Sequence, residues 1–349
     1  MAYQNVGTPR FYVNVLEWLN SVGSLPLPNI FRTLPVVVKS NFTDAIAGWD
    51  LTGNYPPAAA FGGGSFIAIL GHNLASQEVT YGVNATIGQD NIINGHIAGE
   101  TDIGETVMPD YDGWSLSRVN LATHSWHTDL VNFSVTDTAF AGSIILGTYY
   151  TMPHSPDLNL TMTREMDGVK RIRTKGGADL VNHRYYKPAM WVNDEGVGGA
   201  AWELYDGTPS NQKLSRSGRR TWSLSFNYLQ DSSSFPMLSS LNPYESVSDT
   251  GAVYSSSYIG DNPLTDDLET DAVVPETDWH NSDTLLDSDN FYSQVIHKTN
   301  GGQLPFIFQP DSSNDNIDGF AICKFDSGFK FEQVANGVYN VKLKIREVW

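Results

Sequence analysis

The sequence predicts an all-β protein, and three observations predict it. Aromatic residues make up 12% of the 349-residue chain, among abundant Gly, Ser, Asn, Asp and Thr, a mixture that suits short strands joined by turns. Apolar and polar residues alternate through several short stretches, the period of a half-buried strand. Segments rich in Ala, Leu, Glu and Lys, which favour helix, are scarce.

The first strand is read in "RFYVNVLEW", with Phe11, Val13 and Val15 on one face and Tyr12, Asn14 and Leu16 on the other. "LPVVVKS" is a second. From about residue 40 to 152 the chain reads as a β-sandwich. "GGGSFIAILGHNL" is a Gly-flanked buried strand, "EVTYGVNATIG" alternates, and "AGSIILGTYYTM" is a long final strand. Turn residues recur at a spacing of roughly 8–12, as sandwiches and barrels require. "LNLTMTREMDGVKRIRTKGG" is predicted as a hairpin turning at "DG", gathering Arg164, Lys170, Arg171, Arg173 and Lys175.

"SRSGRRTWSLSFNYLQ", residues 215–230, is predicted as a strand with one wet side. Trp222, Leu224 and Phe226 share one face, and Ser223, Ser225 and Asn227 the other. From Thr221 to His297 no Lys or Arg occurs, and residues 231–286 read as a long acidic excursion. "DSDNFYSQVIHKTNGG" is predicted as a short helix capped by Asp287, Ser288 or Asp289 and stopped at Gly301 or Gly302. "QLPFIFQP" follows as a strand. The chain closes in a hairpin around Asn336-Gly337, a favoured pair for a two-residue turn. There Tyr339, Val341, Leu343 and Ile345 point inward and Asn340, Lys342, Lys344 and Arg346 outward.

The net charge of −18 opposes binding to nucleic acid or to an anionic membrane, since neither offers cations to offset it. No signal peptide and no membrane-length apolar run is read in the sequence. Cys323 is the single cysteine, so no intrachain disulfide forms, and it is expected as a small buried apolar residue. "GGGSF" lacks the second glycine of a nucleophile elbow, and "FGGG" lacks the lysine of a phosphate loop. "DSSNDNIDGF" has early calcium-loop spacing from Asn314, but Phe325 stands where a bidentate Glu belongs, so a turn is expected. His72 in "GHNL" is read as a strand-end histidine. In "HSWHTD", His124, Trp126 and His127 lack the spacing of a metal site. No catalytic, metal or cofactor site is expected.

"GRRTWSLSFNYL", a short helix ending in "TNGGQLPFIF", and a strand pair ending in "YNVKLKIREVW" together resemble the C-terminal part of minor and distal tail proteins of long-tailed bacteriophages. The likeness covers roughly residues 153–230 and 286–349. It implies a tail-tube-like β-sandwich with one short flanking helix. "FIAILGHNLASQEVTYGV" is similar to a galactose-binding-like jelly-roll of phage virion proteins. The implied organisation is N-terminal strands in 1–39 packing on the C-terminal domain, a jelly-roll sandwich in 40–152, and a tail-tube-like domain in 153–349.

The resemblance implies a non-enzymatic virion component, made in the bacterial host cytoplasm and assembled into the tail as a ring. Its partners would be other copies of itself and neighbouring tail-tube and tail-tip proteins. The alternative is an adsorption protein holding host-surface glycan. Segregated charge nominates Arg216, Arg219, Arg220 and Trp222 against Asp266, Asp267 and Glu269 as contacts between subunits. Trp114, Trp126 and His124 are the candidates for stacking on a glycan.

Overall fold

The computed structural model describes residues 6–23, 29–33, 40–42, 46–50, 64–70, 80–84, 91–96, 114–119, 130–134, 139–158, 161–165, 169–183, 219–230, 289–315, 319–326, 329–335 and 338–348. They form mainly strands: β1 (Arg10–Asn14), β2 (Ser40–Phe42), β3 (Ile46–Asp50), β4 (Gly64–Leu70), β5 (Thr80–Asn84) and β6 (Asn91–His96). Then come β7 (Trp114–Val119), β8 (Leu130–Ser134), β9 (Ala139–Ala141), β10 (Ser143–Thr151), β11 (Thr161–Glu165) and β12 (Val169–Arg173). The last six are β13 (Asp179–His183), β14 (Arg219–Gln230), β15 (Phe306–Gln309), β16 (Ala321–Phe325), β17 (Lys330–Ala335) and β18 (Val338–Glu347). Helix α1 (Val15–Ser21) and short turns at Asn29–Phe31 and Tyr292–Thr299 are the helical parts described. The all-β expectation therefore holds in its coarse form.

One ten-stranded sheet runs in the order β11-β14-β18-β16-β15-β1-β10-β4-β7, with β17 also pairing β18. Its ladders are antiparallel. Beside it lie a four-stranded sheet, β3-β8-β5-β6, and the two-stranded pairs β2-β9 and β12-β13. The large sheet passes through the boundary expected at 152/153, because β10, β4 and β7 continue the ladder that holds β14, β18, β16 and β15.

β1 sits between β15 and β10, and apolar clusters cover both of its faces. Phe11 and Val13 join Trp222, Leu224, Phe226, Phe291, Phe306, Phe308, Val341 and Ile345 in one cluster. Tyr12 joins Phe66, Leu70, Leu116, Ile145, Ile307 and Phe320 in the other. Near-continuous apolar sequence is what a strand buried on both faces needs, and β4, with the sequence GSFIAIL, has it too.

Three sequence expectations are corrected here. The first strand ends at Asn14, and Val15 begins a helix. The Asn14 side chain accepts from Glu17 N at 3.1 Å, a helix cap that outcompetes continued extension. Asp167 and Gly168 lie outside the described residues, but the strands on either side of them do not pair with each other as expected: β11 pairs β14, and β12 pairs β13. The chain turns instead at Thr174–Ala178, where Gly177 takes a φ of +83° and Gly177 N donates to Thr174 O at 3.0 Å. Finally, the helix cap lies at Asn290, whose Oδ1 accepts from Ser293 N at 2.8 Å. That helix is a wide π-type turn, with His297 N reaching Tyr292 O. It stops in a left-handed run, Asn300, Gly301 and Gly302, all at positive φ, which is the role expected for the glycines. Lys298, placed by sequence only in the last turn, is fully buried and donates to Gln294 Oε1 at 2.7 Å.

The alternations of β14 and β18 hold: Trp222, Leu224, Phe226, Tyr339, Val341, Leu343 and Ile345 are buried, while Ser223, Lys342 and Lys344 are exposed. Cys323 is free and buried. Burial pushes its thiol pKa well up, with Glu347 adding to the shift. The strand read in "LPVVVKS" lies largely, and the acidic excursion wholly, outside the described residues.

Two outcomes follow from this packing. Ile345→Asp should lower stability by about 3–5 kcal/mol by burying an unpaired carboxylate. Lys344→Asp, which loses only a half-exposed ion pair with Asp326, should cost about 1 kcal/mol or less; urea unfolding of the two variants is the comparison. Glu17 gives the second. Burial raises its carboxyl pKa, offset in part by hydrogen bonds from Thr33 and by the charges of Arg32 and Lys324. The folded chain thus holds that proton more tightly than the unfolded chain. Its contribution to stability falls as pH rises from the ordinary carboxylate value through the raised one. Glu17→Gln keeps an acceptor for Thr33 N and Oγ1 and should remove that slope from a pH series of unfolding curves.

Candidate interaction surface

Two of the expected interface residues lie inside the chain's own core. Alternation along β14 puts Arg220 on the same face as Trp222 and Leu224, and Arg220 is only 6% exposed. It meets Glu347, at the end of β18, which is 1% exposed. Arg220 Nη2 donates to Glu347 Oε1 at 3.2 Å and to Phe320 O at 2.7 Å. The Arg220 backbone N donates to Glu347 Oε2 at 2.8 Å. The guanidinium carbon lies 5.2 Å from the centre of the Trp222 ring. Trp222 is buried and packs edge-on against Phe308, with ring centres 5.3 Å apart.

This arrangement gives Arg220 an internal role at the start of β14. Register brings Thr221 opposite Arg346 and Trp222 opposite Ile345, so the next inward pair is Arg220 with Glu347. A buried charge needs a partner and hydrogen bonds, and the closing strand supplies both. Glu347 is the functional residue of this pair that sequence reasoning missed. The signal was present: 339, 341, 343 and 345 face inward, and 347 continues the same parity.

Arg219 points the other way and is half-buried. It stands opposite Glu165 in the β11–β14 ladder, and Glu165 Oε2 is 2.9 Å from Arg346 Nη2. Arg216, Asp266, Asp267, Glu269, Trp126 and His124 lie outside the described residues. Trp114 opens β7 at one end of the large sheet. The structure thus brings Arg220 and Trp222 together, in the interior.

Among the described residues, exposed side chains gather between Leu158 and Val181. Every residue of β11 is exposed. The β12–β13 hairpin shares no ladder with the other described strands. It carries Arg171, Arg173 and Lys175, with Arg171 bonded to Asp179 through both Nε and Nη2. Leu158, Met162, Ile172, Leu180 and Val181 are large apolar residues exposed on this stretch. Sequence reasoning found the charges and missed the apolar pair Ile172–Leu180, because it placed the turn at Asp167-Gly168 rather than at "TKGGA".

Among the described residues no cluster of His, Cys, Asp and Glu could hold a metal ion, and no helix is long and apolar enough to cross a membrane. No family model, curated protein or solved structure matches this chain.

The buried pair makes a thermodynamic prediction. Glu347→Leu alone, or Arg220→Met alone, should cost about 3–5 kcal/mol by leaving an unpaired charge in the core. The double exchange should cost less than either, its residual loss coming from the bonds that Arg220 N and Phe320 O give up. A double-mutant cycle in urea measures the coupling. Arg220→Glu sets two carboxylates face to face and reports on folding, not on assembly.

Proposed function

We propose that this chain is a structural, non-enzymatic component of a bacteriophage tail that assembles with copies of itself into a ring near the distal end of the tube. In this reading the C-terminal strands form a tail-tube-like domain whose sheet β1, β10, β4 and β7 extend, and the separate sheet of β3, β8, β5 and β6 belongs to the jelly-roll. The observation that carries it is the order of the C-terminal elements. The strings that resemble tail proteins fall on β14, the helical turn Tyr292–Thr299, β15 and β18. These strands are near neighbours in one antiparallel sheet, in the order β14-β18-β16-β15. Phe291, Val295 and Ile296 of the helical segment pack into the cluster on its face. That is the sheet-with-flanking-helix arrangement the resemblance implies, and it supports the reading.

The chemistry of the described residues is in keeping with a structural role. Its buried ionisable groups are engaged within the fold, Arg220 with Glu347 and Lys298 with Gln294. The partners are further copies of the chain and neighbouring tail proteins, and the site of action is the virion.

Negative-stain imaging of the purified protein tests the proposal. Closed rings of uniform diameter are expected. Binding of host envelope polysaccharide by the purified protein, without rings, would replace this reading with a host-glycan-binding adsorption protein.

A further inference from the structure

Of the surfaces described, the β12–β13 hairpin is the one that presents apolar area and positive charge together with no core beneath it. An isolated two-stranded ribbon is marginally stable in water, so an exposed one gains from being covered. Ile172 and Leu180 stand directly opposite each other in the ladder and are 51% and 60% exposed. Cross-strand pairs of this kind stabilise a ribbon, yet here most of their surface faces water. Alternation places Arg171, Arg173, Asp179 and Val181 on the opposite face, all of them outside the core. Leu158 and Met162, 79% and 49% exposed, stand in the segment that precedes the hairpin.

We propose that this hairpin is an arm by which one copy of the chain docks on a second copy, with Ile172 and Leu180 covered in the contact and Arg171, Arg173 and Lys175 meeting acidic surface. The complement is on the chain itself. Between 171 and 181 three cations stand against one carboxylate, on a chain whose net charge is −18. The body of a second copy therefore offers the acidic surface that the arm lacks. A basic arm on an acidic body joins unlike surfaces, and such a contact repeats head to tail until it closes. The overall charge opposes a nucleic acid or an anionic membrane in the same place.

This inference rests on the self-assembling reading above and names the surface that does the work. It is tested by sedimentation of the full chain over a concentration series at low and high salt, for three proteins: wild type, Ile172→Asp with Leu180→Asp, and Arg171→Glu with Arg173→Glu. Each is also melted. Because the hairpin lies off the core, both variants should melt as the wild type does. The wild type should assemble with rising concentration and less readily in high salt, where screening shortens to about 3 Å at 1 M. Each variant should need roughly tenfold or more protein to reach the same assembly. Wild-type assemblies that both variants reproduce unchanged overturn the arm and leave the ring reading standing. A wild type that stays monomeric at every concentration overturns both. Loss of cooperative melting in the Ile172→Asp, Leu180→Asp protein makes the hairpin part of the core and overturns the arm alone.

Discussion

The large sheet depends on the central position of five residues, Arg10–Asn14. β1 pairs with β15 on one edge and β10 on the other, and the order of the sheet passes through it. Without it, the C-terminal strands and the strands β10, β4 and β7 would each present an unpaired edge of backbone donors and acceptors. Buried backbone groups are costly to leave unpaired, so the sheet holds together as one body or not at all. The fit is tight: a Cβ on Gly147, opposite Asn14, would collide with the Val13 carbonyl. Phe11 anchors one face against Phe291, Phe306 and Phe308, with ring centres 5.2–5.6 Å apart. Tyr12 anchors the other face by donating to Gln309 Oε1 at 2.8 Å.

A strand covered on both sides leaves little room for polar side chains, and three polar pairs stand out among those inside. Tyr12 with Gln309, Lys298 with Gln294, and Arg220 with Glu347 are all inside. Tyr12–Gln309 and Arg220–Glu347 each demand a defined partner at a defined height in the sheet, because an unpaired polar group in such a place costs more than a mismatched apolar one. Apolar packing supplies most of the stability here, and the polar pairs restrict the register in which that packing is allowed. Glu347 fits this role well. A slip of β18 by one residue would put Lys342, Lys344 and Arg346 into the core and take Glu347 away from Arg220.

Much of the strand pattern was legible in the sequence, and the failures have physical causes. β14 and β18 were read correctly because one-sided burial writes a period of two into the residues, and β10, buried through most of its length, was legible from its long run of strand-forming residues. β1 was read as too long because a two-sided strand and the buried start of a helix look alike until a cap is recognised, and Asn14 was the cap. The Asp167-Gly168 turn signal was local chemistry without tertiary context; Gly177, three residues past Thr174, provided the left-handed turn that the ladder uses. Arg219 and Arg220 were taken together as surface charge. Parity alone separates them, but only if a buried arginine is entertained, and its partner lies 127 residues away. The nominated acids and the tryptophan–histidine group of the N-terminal half fall outside the described residues, apart from Trp114 on β7.

The central position of β1 also bears on how the chain comes to be folded. Tyr12 and Gln309 are 297 residues apart in sequence, so β1 waits for β15 before its second edge is paired. Contacts of such long range are slow to form, since loop closure must be completed before they reward it. During synthesis β1 can pair with β10, but its other edge and the aromatic face around Phe11 stay open until the final strands arrive. Exposed edges of this kind invite association between unfinished chains. The architecture therefore favours slow translation at low chain density or escort by a chaperone, and it makes the pairing of β15 with β1 the step that commits the whole sheet.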